Sequence, residues 1–295
     1  MCGGNEVMQQ IEVTTLLKLQ ETMTVPVILT NCETWTLKKS DRAMLDKMEI
    51  WALKELIGLP KTTPTPAVLF TTGTLMTSLR VDQRQFIYLR RLLCRNDDNW
   101  AKQTFFQLEK MRTGWASHMK QLLEEYELNA SWEDIEKKKE KQWKNEVTNA
   151  INKKQKERLL DSCFSKKGEK SKTKNLISIL QDESYIVNPQ EHILTRPKII
   201  AKALIMGRFR MLNCAKNFKN LYKDVNCKKC KVMDDESHRI NDCELWKDFN
   251  HCNNTEKIDF QLIENSDPET LSKIANIILD IWNLKNGKNE MNIAT

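Results

Sequence analysis

Three cysteines and one histidine in the last third of the sequence have a spacing that suits a tetrahedral metal ion. Cys227, Cys230, His238 and Cys243 form the pattern C-x2-C-x7-H-x4-C. Two cysteines separated by two residues can bend around one ion while the amides between them point at the sulfurs. A later histidine and cysteine can then close a tetrahedron. The pattern predicts one structural zinc ion (Zn) held by these four side chains.

Two other interpretations of this cluster stay open in the sequence. The four residues could be ordinary buried thiols and a surface histidine, although the polar residues around them bury thiols poorly. His251 and Cys252 are rival late ligands, eight or nine residues beyond Cys243, and they rank second. A segment this polar has little core of its own, so metal binding would supply most of its folding free energy.

Basic and aromatic residues around the cluster predict a nucleic-acid contact. Basic groups neutralise phosphates and release counterions, while exposed aromatic rings stack on unpaired bases. The aromatic residues could instead form the core of a small helical subdomain, which is the interpretation we favour for Phe209. The candidate nucleic-acid-binding residues are Arg196, Lys198, Lys202, Arg208, Arg210, Lys216, Phe218, Lys219, Tyr222, Lys228 and Lys229. The expected partner is RNA or single-stranded DNA.

The positive charge of the chain is concentrated in one segment. Residues Lys137 to Lys174 carry 14 Lys and Arg against 5 Asp and Glu, a net charge of +9, whereas the whole chain carries +7. A local excess of positive charge fits contact with a polyanion better than a generally basic surface does. A solvated, mobile linker is the alternative interpretation of this segment.

Composition predicts a mostly α-helical protein. Only 8 Gly and 7 Pro punctuate the 295 residues, which favours long helices over strands and turns. No apolar run reaches the roughly 18 residues of a membrane span, and no signal peptide opens the chain. The 9 cysteines are an odd number and most are scattered, as in a reducing compartment. We expect an intracellular protein of the nucleus or cytoplasm with no membrane partner.

Capping residues and apolar spacing predict individual helices. Ser40 and Asp41 predict a helix start, and Gly58 and Pro60 its end. A loop is expected from Thr62 to Pro66, because each proline restricts the residue before it. Residues at helical spacing, mostly apolar, predict the buried face of this first helix; they are Met44, Leu45, Met48, Ala52, Glu55 and Leu56.

Further helices are expected along the chain. One covers Val81 to Cys94, with Phe86, Leu89, Leu92 and Leu93 on its apolar side. Another ends near Tyr126, with Trp115, His118, Met119, Leu122 and Leu123 on one face, and a new helix starts at Ser131. A basic helix is predicted from Lys198 to Asn213 and a terminal helix near Pro268 to Leu284. Val25 to Leu29 fits either a strand or a bent helix end. Trp35, Trp51, Trp115 and Trp246 are expected to anchor helix packing.

Several segments, in the right order, resemble the C-terminal region of LINE-type (non-LTR) retrotransposon reverse transcriptases. VILTNCETWTL at residues 27–37 is similar to the LLYGCETWTL stretch that follows the polymerase core, with Thr30 and Asn31 in place of Tyr and Gly. LIGLPKTTP at 56–64 resembles ILGLPKSTP, and FIYLRRLL at 86–93 resembles a KLKYLHRLL helix. Residues 170–176 and 208–218 resemble the region ahead of the family's knuckle. Glu236, His238 and Cys243 fit the ExxHLLxxC end of its cysteine-rich motif.

The resemblance implies a thumb-like helical region, a helical linker and a terminal zinc knuckle. In the family these parts grip template and primer beside a polymerase palm. Composition and resemblance together suggest a thumb-like segment (1–98), a helical linker (99–164), a lysine-rich connection (165–195), a basic arm with a CCHC zinc knuckle (196–252) and a C-terminal helix (253–295).

We expect no catalysis from this chain alone. Two-metal nucleotidyl transfer needs carboxylates on a rigid sheet, and neither Asp97-Asp98 nor Asp234-Asp235 lies in an apolar, strand-like context. The chain would then be a nucleic-acid-binding fragment without its own palm. It could alternatively be an accessory domain of an active polymerase whose palm lies elsewhere, in cis or in trans. A decayed transposon-derived protein with no selected activity is the third interpretation.

Overall fold

The described part of the chain is mostly α-helical, as its composition predicts. The computed structural model describes residues 10–128, 130–165, 173–182, 187–209, 211, 226–227, 229–235, 238, 242–243 and 268–286. Only isolated bridges, Glu12 with Pro197 and Asn226 with Met233, have strand-like pairing among these residues. Within the same ranges, no helix combines the length and the apolar character that crossing a membrane requires.

The α-helices are numbered here in chain order. They are α1 (Val13–Leu19), α2 (Val25–Ile28), α3 (Lys39–Ile57), α4 (Thr65–Thr72), α5 (Thr77–Leu93), α6 (Trp100–Lys110), α7 (Gly114–Glu125), α8 (Trp132–Lys137), α9 (Glu140–Ser165), α10 (Lys174–Gln181), α11 (Glu191–Leu194), α12 (Lys198–Arg208) and α13 (Pro268–Asn286). A π-helical turn, Gln20–Thr24, joins α1 to α2, so the segment that fitted either a strand or a helix is helical.

Helix α3 is bounded by local capping chemistry. The Asp41 carboxylate accepts a hydrogen bond from the backbone N–H of Lys38 at 3.2 Å, and α3 begins at Lys39, just before the predicted start at Ser40 and Asp41. Gly58 ends the helix with a φ of 77°, a left-handed conformation that favours glycine. The next loop is shorter than predicted, because Pro66 belongs to the first turn of α4 and its missing N–H has no helical partner there anyway.

The buried face of α3 is only partly the predicted one: Leu45, Ala52 and Leu56 are half-buried, but both predicted methionines are exposed. Met44 and Met48 are 65% and 52% exposed and Trp51 is 59% exposed, whereas Ile50, Leu53 and Ile57 are buried. The prediction was wrong because a polar stripe of α3 packs against α5. Arg42 Nη1 lies 2.7 Å from Asp82 Oδ2, and both carboxylate oxygens of Asp46 accept hydrogen bonds at 2.8 Å from Ser78.

Other predicted helices are confirmed, although α5 begins at Thr77, four residues before the predicted start at Val81. The expected apolar faces of α5 and α7 are buried at Phe86, Leu89, Leu92, Leu93, Met119, Leu122 and Leu123. Ser131 caps α8 by accepting a hydrogen bond from the Asp134 N–H at 3.2 Å. Helix α13 starts at Pro268 as predicted, whereas α12 ends at Arg208, five residues before Asn213. Trp35 and Trp115 pack against apolar clusters, and Trp246 lies outside the described residues.

One continuous apolar core runs from Val13 in α1 to Ile278 in α13. Phe209, at the end of α12, is 2% exposed and belongs to this core, as predicted. The segment before α12 pairs with the segment before α1: the Val13 N–H donates to the Arg196 carbonyl at 3.3 Å, and the Lys198 N–H donates to the Ile11 carbonyl at 2.9 Å. The basic arm therefore begins from a fixed position on the helical body.

Candidate metal centre

A tight hairpin positions the first two cysteines. The Cys227 N–H donates to the Val232 carbonyl at 2.7 Å, and the Lys231 N–H donates back to the Cys227 carbonyl at 2.9 Å. Lys231 closes the turn in the left-handed region, with a φ of 59°. This reversal brings Cys230 next to Cys227.

A second turn positions the histidine. The backbone N–H of His238 donates to Asp235 Oδ1 at 2.9 Å, so Asp235 caps the turn that presents the imidazole. His238 is 6% exposed, and its Nε2 is buried with no hydrogen-bond partner among the described residues. Buried polar atoms normally have a partner, so this nitrogen is available to a ligand. The sequence analysis missed the role of Asp235, although an Asp three residues before a turn residue is a recognisable capping signal.

The four predicted ligands converge. Cys243 Sγ lies 3.8 Å from Cys227 Sγ and 3.9 Å from Cys230 Sγ. One ligand atom from each of Cys227, Cys230, His238 and Cys243 lies within 4.8 Å of every other. Cys227, His238 and Cys243 are buried and Cys230 is half-buried. These four side chains could therefore hold one metal ion, and no other such group occurs among the described residues.

The hairpin backbone favours the ionised form of Cys227. Burial raises the pKa of this thiol, but hydrogen bonds from the backbone N–H groups of Cys230 and Lys229 and from the His238 and Cys243 side chains outweigh burial and lower the pKa to about 7. The thiolate is the form of cysteine that binds metal ions. The donor set thus combines sulfur atoms with a buried imidazole, which is the chemistry of a closed structural site.

The remaining candidate residues divide into two groups. Lys229 is exposed on the hairpin next to the ligand Cys230, as is Lys231, which was not among the candidates. Lys228 lies outside the described residues, as do Arg210, Lys216, Phe218, Lys219, Tyr222 and the rival ligands His251 and Cys252. The described part of the basic arm comprises Arg196, Lys198, Lys202 and Arg208.

The described basic-arm residues contact the helical body. Lys198 Nζ donates to the Glu55 carbonyl at 3.4 Å, where α3 ends. The Arg208 guanidinium lies 5.1 Å from the Phe70 ring centre and donates to Gln190 Oε1 at 3.5 Å. Arg196 Nε is buried without a hydrogen-bond partner among the described residues. Burial lowers the pKa of Lys202, and the positive charge of Lys198 lowers it further.

Acidic residues from other helices offset part of the local positive charge in the lysine-rich segment. Lys153 Nζ lies 2.6 Å from Glu127, Lys154 Nζ lies 3.8 Å from Glu125, and Arg158 Nη1 lies 3.8 Å from Asp46. None of these acidic residues belongs to the segment itself. The face of α9 that carries these residues is therefore engaged in ion pairs with α3 and with α7 and its flank.

Comparison of the chain with known protein families, with curated proteins and with solved structures gives no match. The geometry of the cysteine and histidine cluster is therefore the observation from which a function can be argued.

Proposed function

We propose that Cys227, Cys230, His238 and Cys243 bind one structural zinc ion, and that the zinc-bound hairpin and the basic arm together bind RNA or single-stranded DNA. The sulfur-to-sulfur distances carry this proposal. In a regular tetrahedron with zinc–sulfur bonds of about 2.3 Å, the sulfurs are separated by about 3.8 Å. The two distances from Cys243 are 3.8 and 3.9 Å.

The donor types favour zinc over other biological metals. Three sulfurs and one imidazole nitrogen are too soft a set for Mg²⁺ or Ca²⁺, which prefer oxygen ligands. The His238 imidazole supplies the nitrogen. Because the surrounding segment is short and polar, the ion would act mainly by stabilising the hairpin that presents Lys229 and Lys231.

The resemblance to LINE-type reverse transcriptases supports the nucleic-acid part of the proposal. We propose that the chain is a region of such a protein, with a thumb-like helical body and a zinc knuckle. Catalysis would then belong to a palm in cis or in trans. The order of the resembling segments and the convergence of the four ligands both agree with this assignment.

The proposal is tested with the full-length chain, its zinc content and its affinity for a single-stranded oligonucleotide. We expect one zinc per chain and a dissociation constant that rises steeply with salt, because binding releases counterions. Replacing Cys227 and Cys230 by Ser should remove the zinc and weaken binding. Cys94→Ser is the matched control, because Cys94 is exposed and lies outside the cluster. Unchanged affinity of the zinc-free double variant would contradict the proposal.

A further inference from the structure

The tryptophan of α3 lies where no packing role explains it. Trp51 is 59% exposed, on the outward face that also carries Met44 and Met48. Residues three and four positions apart are neighbours on a helix surface, so Lys47 and Lys54 flank the Trp51 ring along the helix. An exposed aromatic ring between two lysines combines a stacking surface with positive charge.

Basic-arm residues meet the same helix at its C-terminal end. Lys198 Nζ donates to the Glu55 carbonyl at 3.4 Å, and Glu55 lies one turn beyond Trp51. A β-carbon added to Gly58 would lie 3.1 Å from Lys198 Cε and 3.9 Å from Lys202 Cδ. Both side chains therefore pass directly over the end of α3.

Another lysine, Lys54, makes a hydrogen bond near the C-terminal end of α3. Lys54 Nζ donates to the Lys61 carbonyl at 3.0 Å. Lys54 lies one turn before Gly58, over which Lys198 and Lys202 pass, and Lys61 follows three residues after Gly58. Glu55 is an exposed acidic residue on the same part of α3, where Lys47 and Lys54 also lie. Burial lowers the pKa of Lys202, and the nearby Lys198 charge lowers it further.

We propose that these residues form a second contact for single-stranded nucleic acid, in which a base stacks on Trp51 and neighbouring phosphates bind the lysines. The Trp51 surface consists of Trp51, Lys47, Lys54, Lys61, Lys198 and Lys202. The inference rests on the proposed function, because it assumes that the chain binds nucleic acid. It extends the basic-arm contact onto the helical body, because Lys198 and Lys202 of the arm lie over the end of the helix that carries Trp51.

Charge and composition favour a nucleic acid over a protein as the occupant. Lysine is depleted from the buried centres of protein interfaces, where its hydrated ammonium is costly to desolvate. Single-strand binding sites combine aromatic rings with positively charged grooves, and stacking tolerates any base. Trp51 and Glu55 are about 6 Å apart along the helix axis, so one short stretch of strand can reach both the ring and Lys198.

The decisive experiment measures binding of the zinc-loaded full-length chain to a fluorescein-labelled oligothymidylate of about 16 nucleotides. Trp51→Ala should raise Kd about tenfold, because base stacking is lost. Trp51→Phe should retain most of the affinity. Trp100→Ala is the matched control: Trp100 is 76% exposed, but it follows the acidic pair Asp97 and Asp98, so its removal should change Kd by less than about twofold.

The lysines are tested through the salt dependence of binding. Lys198→Gln and Lys202→Gln should each reduce the slope of log affinity against log salt by about 0.7, the value for one lost phosphate contact on a single strand. Circular dichroism must show unchanged helix content, since Lys198 also contacts the end of α3. An unchanged slope in the folded double variant would overturn the phosphate role of these lysines.

The outcomes separate this inference from the proposed function. If the unaltered chain shows no salt-dependent binding, the proposed function fails and the Trp51 surface fails with it. If the unaltered chain binds but Trp51→Ala binds with the same Kd, only the Trp51 surface is overturned. If sedimentation shows that Trp51→Ala converts a dimer into a monomer, the surface joins two copies of the chain and the inference is equally overturned.

Discussion

Trp143 in α9 donates its indole N–H to the backbone carbonyl of Phe86 in α5 at 2.9 Å. The two rings also meet edge to face, with centres 6.5 Å apart. Trp143 is 1% exposed, so this contact lies inside the core. It holds the long α9 helix against α5, whose Ser78 and Asp82 bind side chains of α3.

Two replacements of Trp143 should separate the contribution of its hydrogen bond to the free energy of unfolding from the contribution of its buried volume. Trp143→Phe keeps an aromatic ring but leaves the Phe86 carbonyl without this donor, at a cost of about 1–2 kcal/mol. Trp143→Ala also leaves a cavity and should cost about 3–5 kcal/mol. Denaturant unfolding followed by circular dichroism measures both, with the exposed Trp100→Phe as control. Equal stability of Trp143→Phe and Trp143→Ala would show that α9 is not held by this ring.

The ligand set predicts the spectrum of a cobalt-substituted protein. Co²⁺ in place of zinc should give thiolate-to-metal absorption in the near ultraviolet and intense visible bands of a tetrahedral ion. His238→Ala removes the nitrogen ligand and should shift the visible bands and weaken metal affinity, whereas Cys94→Ser should change neither. A spectrum typical of six-coordinate cobalt in the unaltered protein would contradict the tetrahedral assignment.

The left-handed residue of the hairpin offers a gain-of-affinity test. Lys231 adopts a φ of 59°, which costs an L-residue about 1–2 kcal/mol and costs glycine almost nothing. Because folding of the hairpin and metal binding are coupled, Lys231→Gly should raise zinc affinity by about fivefold or more. Competition with a chromogenic chelator measures the change. Lys231→Gln removes the charge but keeps the unfavourable left-handed backbone conformation. Equal changes in zinc affinity for the two variants would show that the change comes from the lost charge.

Buried Glu49 predicts a pH-dependent stability. Burial raises its pKa, while the hydrogen bond from Thr77 and the charge of Arg80 oppose the shift, and the carboxylates of Glu21 and Asp46 add to it. The folded protein therefore binds this proton more tightly than the unfolded chain, so the Glu49 contribution to stability falls as pH rises above the unfolded pKa near 4.5. Glu49→Gln should raise Tm at neutral pH, and the gain should shrink as pH falls towards 4.5.

A pH series of thermal melts tests this prediction. Glu55→Gln is the matched control, because Glu55 is an exposed carboxylate on the same helix. A Tm difference for Glu49→Gln that stays constant between neutral and acidic pH would mean that ionisation of Glu49 does not affect folding.

Local chemistry explains which features could be predicted from the sequence. Gly58 ends α3 and Ser131 caps α8 through neighbours a few residues away, so their roles are visible in short segments. The metal centre is equally local, because its four ligands lie within one stretch of chain and their types and intervals alone indicate convergence. Its capping residue, Asp235, was not predicted, although the hydrogen bond to the His238 N–H spans only three residues.

Long-range pairing explains what the sequence analysis missed. The periodicity of α3 indicated Met44 and Met48 as buried, because apolar residues usually face the core. Arg42 and Asp46 are instead directed inward by Asp82 and Ser78 of α5, more than 30 residues away. The sequence of α3 alone does not show that these polar side chains have partners elsewhere in the chain. Trp51 is exposed for the same reason, because these polar residues and not the Trp51 side face α5.

The pairing of Glu12 with Pro197 has a practical consequence for any attempt to isolate the cysteine hairpin. Cutting the chain ahead of Arg196 would remove the two main-chain hydrogen bonds at the start of α12. It would also expose the buried aliphatic side chains of α12 to solvent, including Leu204 and Ile205. Such a fragment would adhere to resins, tubes and oligonucleotides alike. The affinity measured on such a fragment would reflect non-specific adsorption and not specific binding.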